Sequence, residues 1–197
     1  MLFSSPAFFL FFAIYFIPSL VVPSRYRLAL IIVGSSVFYA YWNPWYLWLP
    51  YSLIGITYAL SQWMNSVTEP AVRRRRMALT IVLLLLPLVF YKYTNFAFDL
   101  LRPLHGSIET KLSSLPLPLG ISFITFTLIA YVVDVYKHTF KTESGIGRLA
   151  ASVLFFPHLI AGPIVRPSQL IPQLSRSSPA IPTKLFFGLS LFTLGLV

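Results

Sequence analysis

Phe155–Pro167 reads FFPHLIAGPIVRP, with three prolines, one glycine, one histidine and one arginine inside an otherwise apolar run. In lipid, backbone that leaves the helical ladder must be satisfied by protein or water, because hydrocarbon offers no partner. Pro157, Pro163 and Pro167 with Gly162 therefore predict broken or re-entrant backbone lining a protein-enclosed cavity. The same punctuation also suits an ordinary helix that ends at a membrane interface.

The surroundings of that stretch set the class. Of 197 residues, 57% are hydrophobic and only 10% are charged, where soluble domains carry about 25% charged residues. Several apolar runs approach the spanning length of about 17–25 residues, which predicts an all-α polytopic membrane protein in one membrane domain, residues 1–197. The alternating pattern of a membrane barrel is missing from the sequence. A net charge of +10 raises nucleic acid as a partner, but the basic residues sit in short connections between apolar runs. That distribution fits topology determinants facing anionic lipid, with no nucleic acid. The sequence has no cysteine, hence no disulfide, thiol nucleophile or cysteine metal site. No motif predicts a bound metal or cofactor. Phe8–Val22 lacks a basic leader region and reads as a retained first span.

Six to seven hydrophobic helices are expected. Met1–Val22 is the first and Leu28–Trp42 a short second. An aromatic belt from Tyr39 to Trp48 surrounds a tight turn at Asn43-Pro44, and the third span runs from Trp45 to Met64. Glu69–Arg76, ending in four arginines, reads as a cytoplasmic anchor and not a nucleic-acid tract. Met77–Tyr91 is the fourth span, softened at Pro87, with Tyr93–Leu101 an interfacial continuation and Arg102–Leu115 a loop. Pro116 and Pro118 open the fifth span, which reaches Val135 or Tyr136; Leu149–Val165 is the sixth element. Arg166–Thr183 is too rich in proline to span, though a short interfacial helix fits there. Lys184–Val197 begins a seventh span but is too short to cross, so the chain is expected to be the truncated portion of a longer protein. Connections on one side carry nine Lys and Arg against five on the other, which predicts a non-cytoplasmic amino terminus.

Few residues carry candidate chemistry. His158 is the intramembrane histidine; it fits a substrate contact, or a polar group that satisfies a broken helix. His105 and His138 lie in polar connections and read as solvated. Asp134 has Lys137 three residues on, the spacing of a structural ion pair. Lys92 reads as a snorkelling anchor or a contact for an anionic donor, and Arg166 as an interfacial arginine or a phosphate or carboxylate contact at a tunnel mouth. The acids at 69, 99, 109, 134 and 143 form no closely spaced pair.

Four blocks, in this order, resemble the membrane-bound O-acyltransferase family in its bacterial branch for polysaccharide acetylation and cell-wall D-alanylation. They are MLFSSPAFFLFF at the start, SSVFYAYWNPWYLWLPYS at 35–52, FYKYTNF at 90–96, and the pair LPLGISFITFTLIAYVVDVYK and FFPHLIAGPIVRP. One departure is Thr57-Tyr58, where the family pattern has Asn-Tyr. The resemblance implies the amino-terminal part of an acyltransferase whose helices surround a tunnel. Tunnel or substrate candidates are then His158, Gly162, Pro163, Arg166, Gly120, Ser122, Asp134 and Lys92. It also implies a catalytic histidine in a later span, matched by none of the three histidines here, so this stretch alone is expected to be inactive. The implied reaction moves an acyl group, acetyl first, from acetyl-CoA or a carrier-linked donor to hydroxyls of an exported polysaccharide such as alginate. The implied setting is the bacterial inner membrane, with polysaccharide acetylation or export proteins as partners. A small-solute transporter using Asp134, His158 and Arg166, and a non-catalytic membrane scaffold, are the rival readings.

Overall fold

The structure, a computed structural model, describes residues 5–105, 116–159, 165–174 and 182–195, and all regular structure among them is helical. Helix α1 spans Pro6–Val21. The Ser5 side chain accepts the Phe8 N–H at 3.2 Å, and Pro6 sits where its missing N–H leaves no gap in the ladder. Helix α2 covers Ser24–Trp42, so Arg25 and Arg27 belong to its first turn and not to a preceding connection. Its 19 residues reach about 28 Å, longer than the expected second span. The predicted turn follows. Asn43 accepts the Trp45 N–H at 3.0 Å, a 3-10 turn covers Pro44–Tyr46, and α3 runs back over Trp48–Asn65.

Helix α4 departs most from expectation. Anchor, fourth span, interfacial continuation and the start of the loop are one 36-residue helix, Pro70–His105, about 54 Å long. Pro70 is tolerated in the first turn, and arginine is a good helix former, so the basic tract extends the apolar run instead of ending it. The helix also continues through Pro87. Among the described residues, the Pro70–Thr94 stretch is the one helix long and apolar enough to cross a membrane; α1 and α5, Ile121–Tyr136, are apolar but shorter. By that measure the expected six to seven spans are not reached.

Helix α5 lies centrally, packed by α3, α4, α6 and α8. The expected sixth element is broken. Helix α6 covers Ile146–Leu154, backbone turns at Phe155 (φ −50°, ψ 103°), and α7 is the single turn Phe156–Leu159. Pro157 accounts for the break, because it lacks an N–H and its ring clashes with the carbonyl four residues earlier. Helix α8, Pro167–Leu174, is the short helix anticipated in the proline-rich stretch, and α9 covers Pro182–Leu194.

The core joins Phe38 and Tyr39 of α2, Leu53 of α3, Leu128 and Tyr131 of α5, Leu149 of α6 and Phe156 of α7. Gly34 lets α1 and α2 meet, since a Cβ there would lie 2.4 Å from the Tyr15 ring. Gly34→Val should therefore lower thermal stability in detergent by about 1–3 kcal/mol. Combining it with Tyr15→Ala should recover part of that loss, and additive losses in the double variant would exclude this contact as the cause.

Candidate functional site

The broken segment is held from three sides. At its entry the Phe156 N–H, released by the break, donates to Ser35 Oγ of α2 at 3.2 Å. The Phe156 ring packs among Phe11, Tyr15 and Phe38, with centroids 5.2, 5.0 and 5.4 Å away. Protein thus supplies the partner that lipid cannot.

One turn on, His158 is buried, with its ring 5.4 Å from the rings of both Phe123 and Phe155. Its Nε2 is buried without a partner among the described residues. Leu159 then meets the amino end of α5. Gly120 caps that helix with a left-handed backbone, φ +65°, and a Cβ on it would stand 2.7 Å from the Leu159 carbonyl oxygen. Both features demand glycine. Ser122 is half-buried in the first turn of α5. Gly162 and Pro163 lie outside the described residues.

The opposite end of α5 carries the buried Asp134. Its Oδ1 accepts from Arg166 Nη1 at 3.1 Å and its Oδ2 from Ser168 Oγ at 2.7 Å. The expected partner Lys137 is instead exposed at the helix end. The Asp134 carbonyl accepts the Thr139 and Phe140 N–H groups at 3.1 and 3.3 Å, which turns the chain sharply and carries Lys137 away. Sequence spacing on one helix could not find Arg166, 32 residues distant.

That end of α5 is also where the arginine tract lands. Arg73 is buried, and its Nη2 donates to the Val135 carbonyl at 2.8 Å while Nη1 donates to His138 Nε2. Its guanidinium lies over the Tyr136 ring, 5.6 Å from the centroid. Arg76 donates to the Trp63 carbonyl at the end of α3 and stacks on the Trp63 ring at 4.2 Å. Two of the four arginines therefore brace helix ends, and His138 is exposed but bonded, not merely solvated. Arg74 and Arg75 are exposed. Beside them Glu143 Oε1 accepts the Ser144 and Gly145 N–H groups at 3.0 and 3.2 Å and pairs with Arg148. That carboxylate raises the Arg148 guanidinium above its usual range.

Lys92 is exposed on α4 with Nζ 5.8 Å from the neighbouring Tyr93 ring, which fits snorkelling. His105 is the last residue of α4. Among the described residues no three His, Asp or Glu side chains gather as a metal site. Chemically, Asp134 is neutralised by its partners, while His158 keeps one nitrogen open.

The chain is similar to the probable alginate O-acetylase AlgI of Pseudomonas aeruginosa, 35% identical over 190 residues covering 92% of this chain and 36% of the relative. Against the probable alginate O-acetylase AlgI of Azotobacter vinelandii it is 34% identical over 180 residues, 88% of this chain and 36% of the relative. It is also 31% identical over 195 residues to the peptidoglycan O-acetyltransferase of Helicobacter pylori, covering 84% of this chain and 36% of that protein. The chain thus spans about a third of the length of these curated relatives. No family-wide sequence profile and no solved structure matches it. The resemblance read from the four sequence blocks is borne out by these relatives.

Replacing Arg166 by methionine should cost about 1.5–3 kcal/mol, because it strips a charged hydrogen bond from a buried carboxylate. Lys137→Met should stay within about 0.5 kcal/mol, as surface changes do. Thermal denaturation of both variants in detergent checks the ranking, and an equal loss would return Lys137 as a partner.

Proposed function

We propose that this chain, similar over most of its length to O-acetyltransferases of the membrane-bound O-acyltransferase family, works within an enzyme that acetylates hydroxyls of an exported polysaccharide. One observation carries the reading. The relatives' names give two different glycan products, alginate and peptidoglycan, and one reaction, O-acetylation. Alginate is the acceptor favoured here, since the higher identities are to alginate O-acetylases.

The reaction joins a hydroxyl oxygen to the acyl carbon, expels the donor's leaving group and hands the hydroxyl proton to a base, for which a histidine typically supplies about 10²–10⁴-fold. In this reading the base belongs to a later span outside these residues, and the donor is acetyl-CoA or a carrier-linked acyl group. Helix α5 with α6 and α7 forms part of the tunnel wall, with His158, Gly120 and Ser122 at one end and Asp134 and Arg166 at the other. The bacterial inner membrane is the setting, and partner proteins for acetylation or export complete the pathway.

The exposed Arg74 and Arg75, with Lys137 and Lys141, share the end of the fold where α3 and α5 finish and α4 begins. That end is assigned to the cytoplasmic face by the excess of basic side chains. The tight turn bearing Trp45, 85% exposed, then faces the periplasm, and so does the amino terminus by alternation.

Deleting the encoding gene should remove acetyl esters from the exported glycan, counted by NMR of the purified polymer. The whole gene should restore them, and residues 1–197 alone should not. Unchanged ester content in the deletion strain excludes the enzyme reading. Residues 1–197 contain no cysteine, so single cysteines placed there are read in a whole protein whose remaining cysteines are replaced by serine. Arg75→Cys should react with an impermeant thiol reagent only in opened cells and Trp45→Cys in intact spheroplasts; the reverse pattern inverts the orientation.

A further inference from the structure

His158 is a buried polar side chain whose bonding is incomplete. A neutral imidazole has one N–H and one lone pair. Among the described residues Nε2 is buried without a partner. A buried polar nitrogen left unmet is rare in native structures and calls for an explanation. A hydroxyl, which both donates and accepts, complements that nitrogen in either tautomer.

The surroundings narrow the partner's class. Phe123 and Phe155 flank the ring, each 5.4 Å from its centroid. Aromatic faces carry negative charge and suit the C–H faces of a sugar ring. Phe123 lies in the first turn of α5, where N–H groups lack intrahelical partners and the helix dipole is positive. That end favours an oxygen gaining negative charge, as a hydroxyl does when its proton is drawn away. Thr127, one turn along on the same helical face as Phe123, is likewise buried with an unpartnered hydroxyl.

From this geometry we infer that His158 is a hydroxyl-binding residue. Its Nε2 hydrogen-bonds a hydroxyl of an acceptor sugar seated between Phe123 and Phe155, with Thr127 Oγ1 as a second contact. The identity of the hydroxyl rests on the acetyltransferase reading; the unmet nitrogen does not.

Two substitutions separate this role from a structural one. His158→Asn keeps a polar amide near the Nδ1 position and withdraws the group at Nε2. His158→Gln places a polar amide near Nε2 on a longer, more flexible side chain. The whole encoded protein, in membranes, is titrated with a short alginate oligosaccharide and separately with a chito-oligosaccharide, reading equilibrium binding and acetyl transfer. His158→Asn should fold to normal levels yet bind the preferred oligosaccharide roughly tenfold more weakly and raise its KM by a similar factor. His158→Gln should retain most of the binding at reduced thermal stability. Equal binding by wild type and His158→Asn overturns the inference, and so does failure of both oligosaccharides to bind wild type, which would leave water as the partner. Binding that falls in His158→Asn without any acetyl transfer by wild type sinks the enzyme reading and keeps the hydroxyl site. Transfer that is undiminished in His158→Asn does the reverse.

Discussion

The carboxylate of Asp134 is the point from which the last third of the chain hangs. Helices α6, α7 and α8 have nine, four and eight residues, all below the length of about 12–15 at which an isolated helix becomes even marginal in water. Each therefore depends on a longer neighbour. Asp134 cannot be buried without partners, because an unpaired ionised carboxylate in low dielectric is prohibitively costly. Arg166 and Ser168 are those partners, so burying the acid and docking α8 are one event. Ser35 does the same for α7 through the Phe156 N–H, and Glu143 for the entry to α6 through Ser144 and Gly145.

A second constraint shapes the basic end. Four arginines in the first turns of α4 oppose that helix's own dipole, which is positive at its amino terminus. The conflict is relieved across helices. Arg73 and Arg76 reach the terminal carbonyls of α5 and α3, both negative helix ends, while aromatic rings of Tyr136 and Trp63 accept their flat cationic faces. The tract thus divides its labour, with two side chains bracing helix ends and Arg74 and Arg75 left outside.

Local chemistry was legible in the sequence, and long-range chemistry was not. Pro157 marks the helix break because proline acts on the residues just before it, and Asn43-Pro44 marks the turn for a similar reason. The length of α4 was hidden because a basic tract looks like a connection, although arginine continues a helix as readily as leucine does. The Asp134–Arg166 pair was hidden because it joins two elements separated by the break, so that the nearby Lys137 offered a false local partner. Burial of Arg73 left no trace in RRRR, since four identical residues give no hint which one points inward. Resemblance supplied the family, yet it assigned no bond to any of these side chains.

The two ends of α5 show why the broken segment has a use beyond packing. At the Asp134 end both carboxylate oxygens find their complement within the fold, in Arg166 and Ser168. At the Gly120 end the fold brings Leu159 so close that only glycine fits, and so lays His158 against the first turn of α5. A joint designed only to pack would place an apolar residue there, because leaving a buried polar group unmet costs about 1–3 kcal/mol. The unmet His158 Nε2 at that end, set against the paired Asp134 carboxylate at the other, is the group that the proposed hydroxyl contact completes.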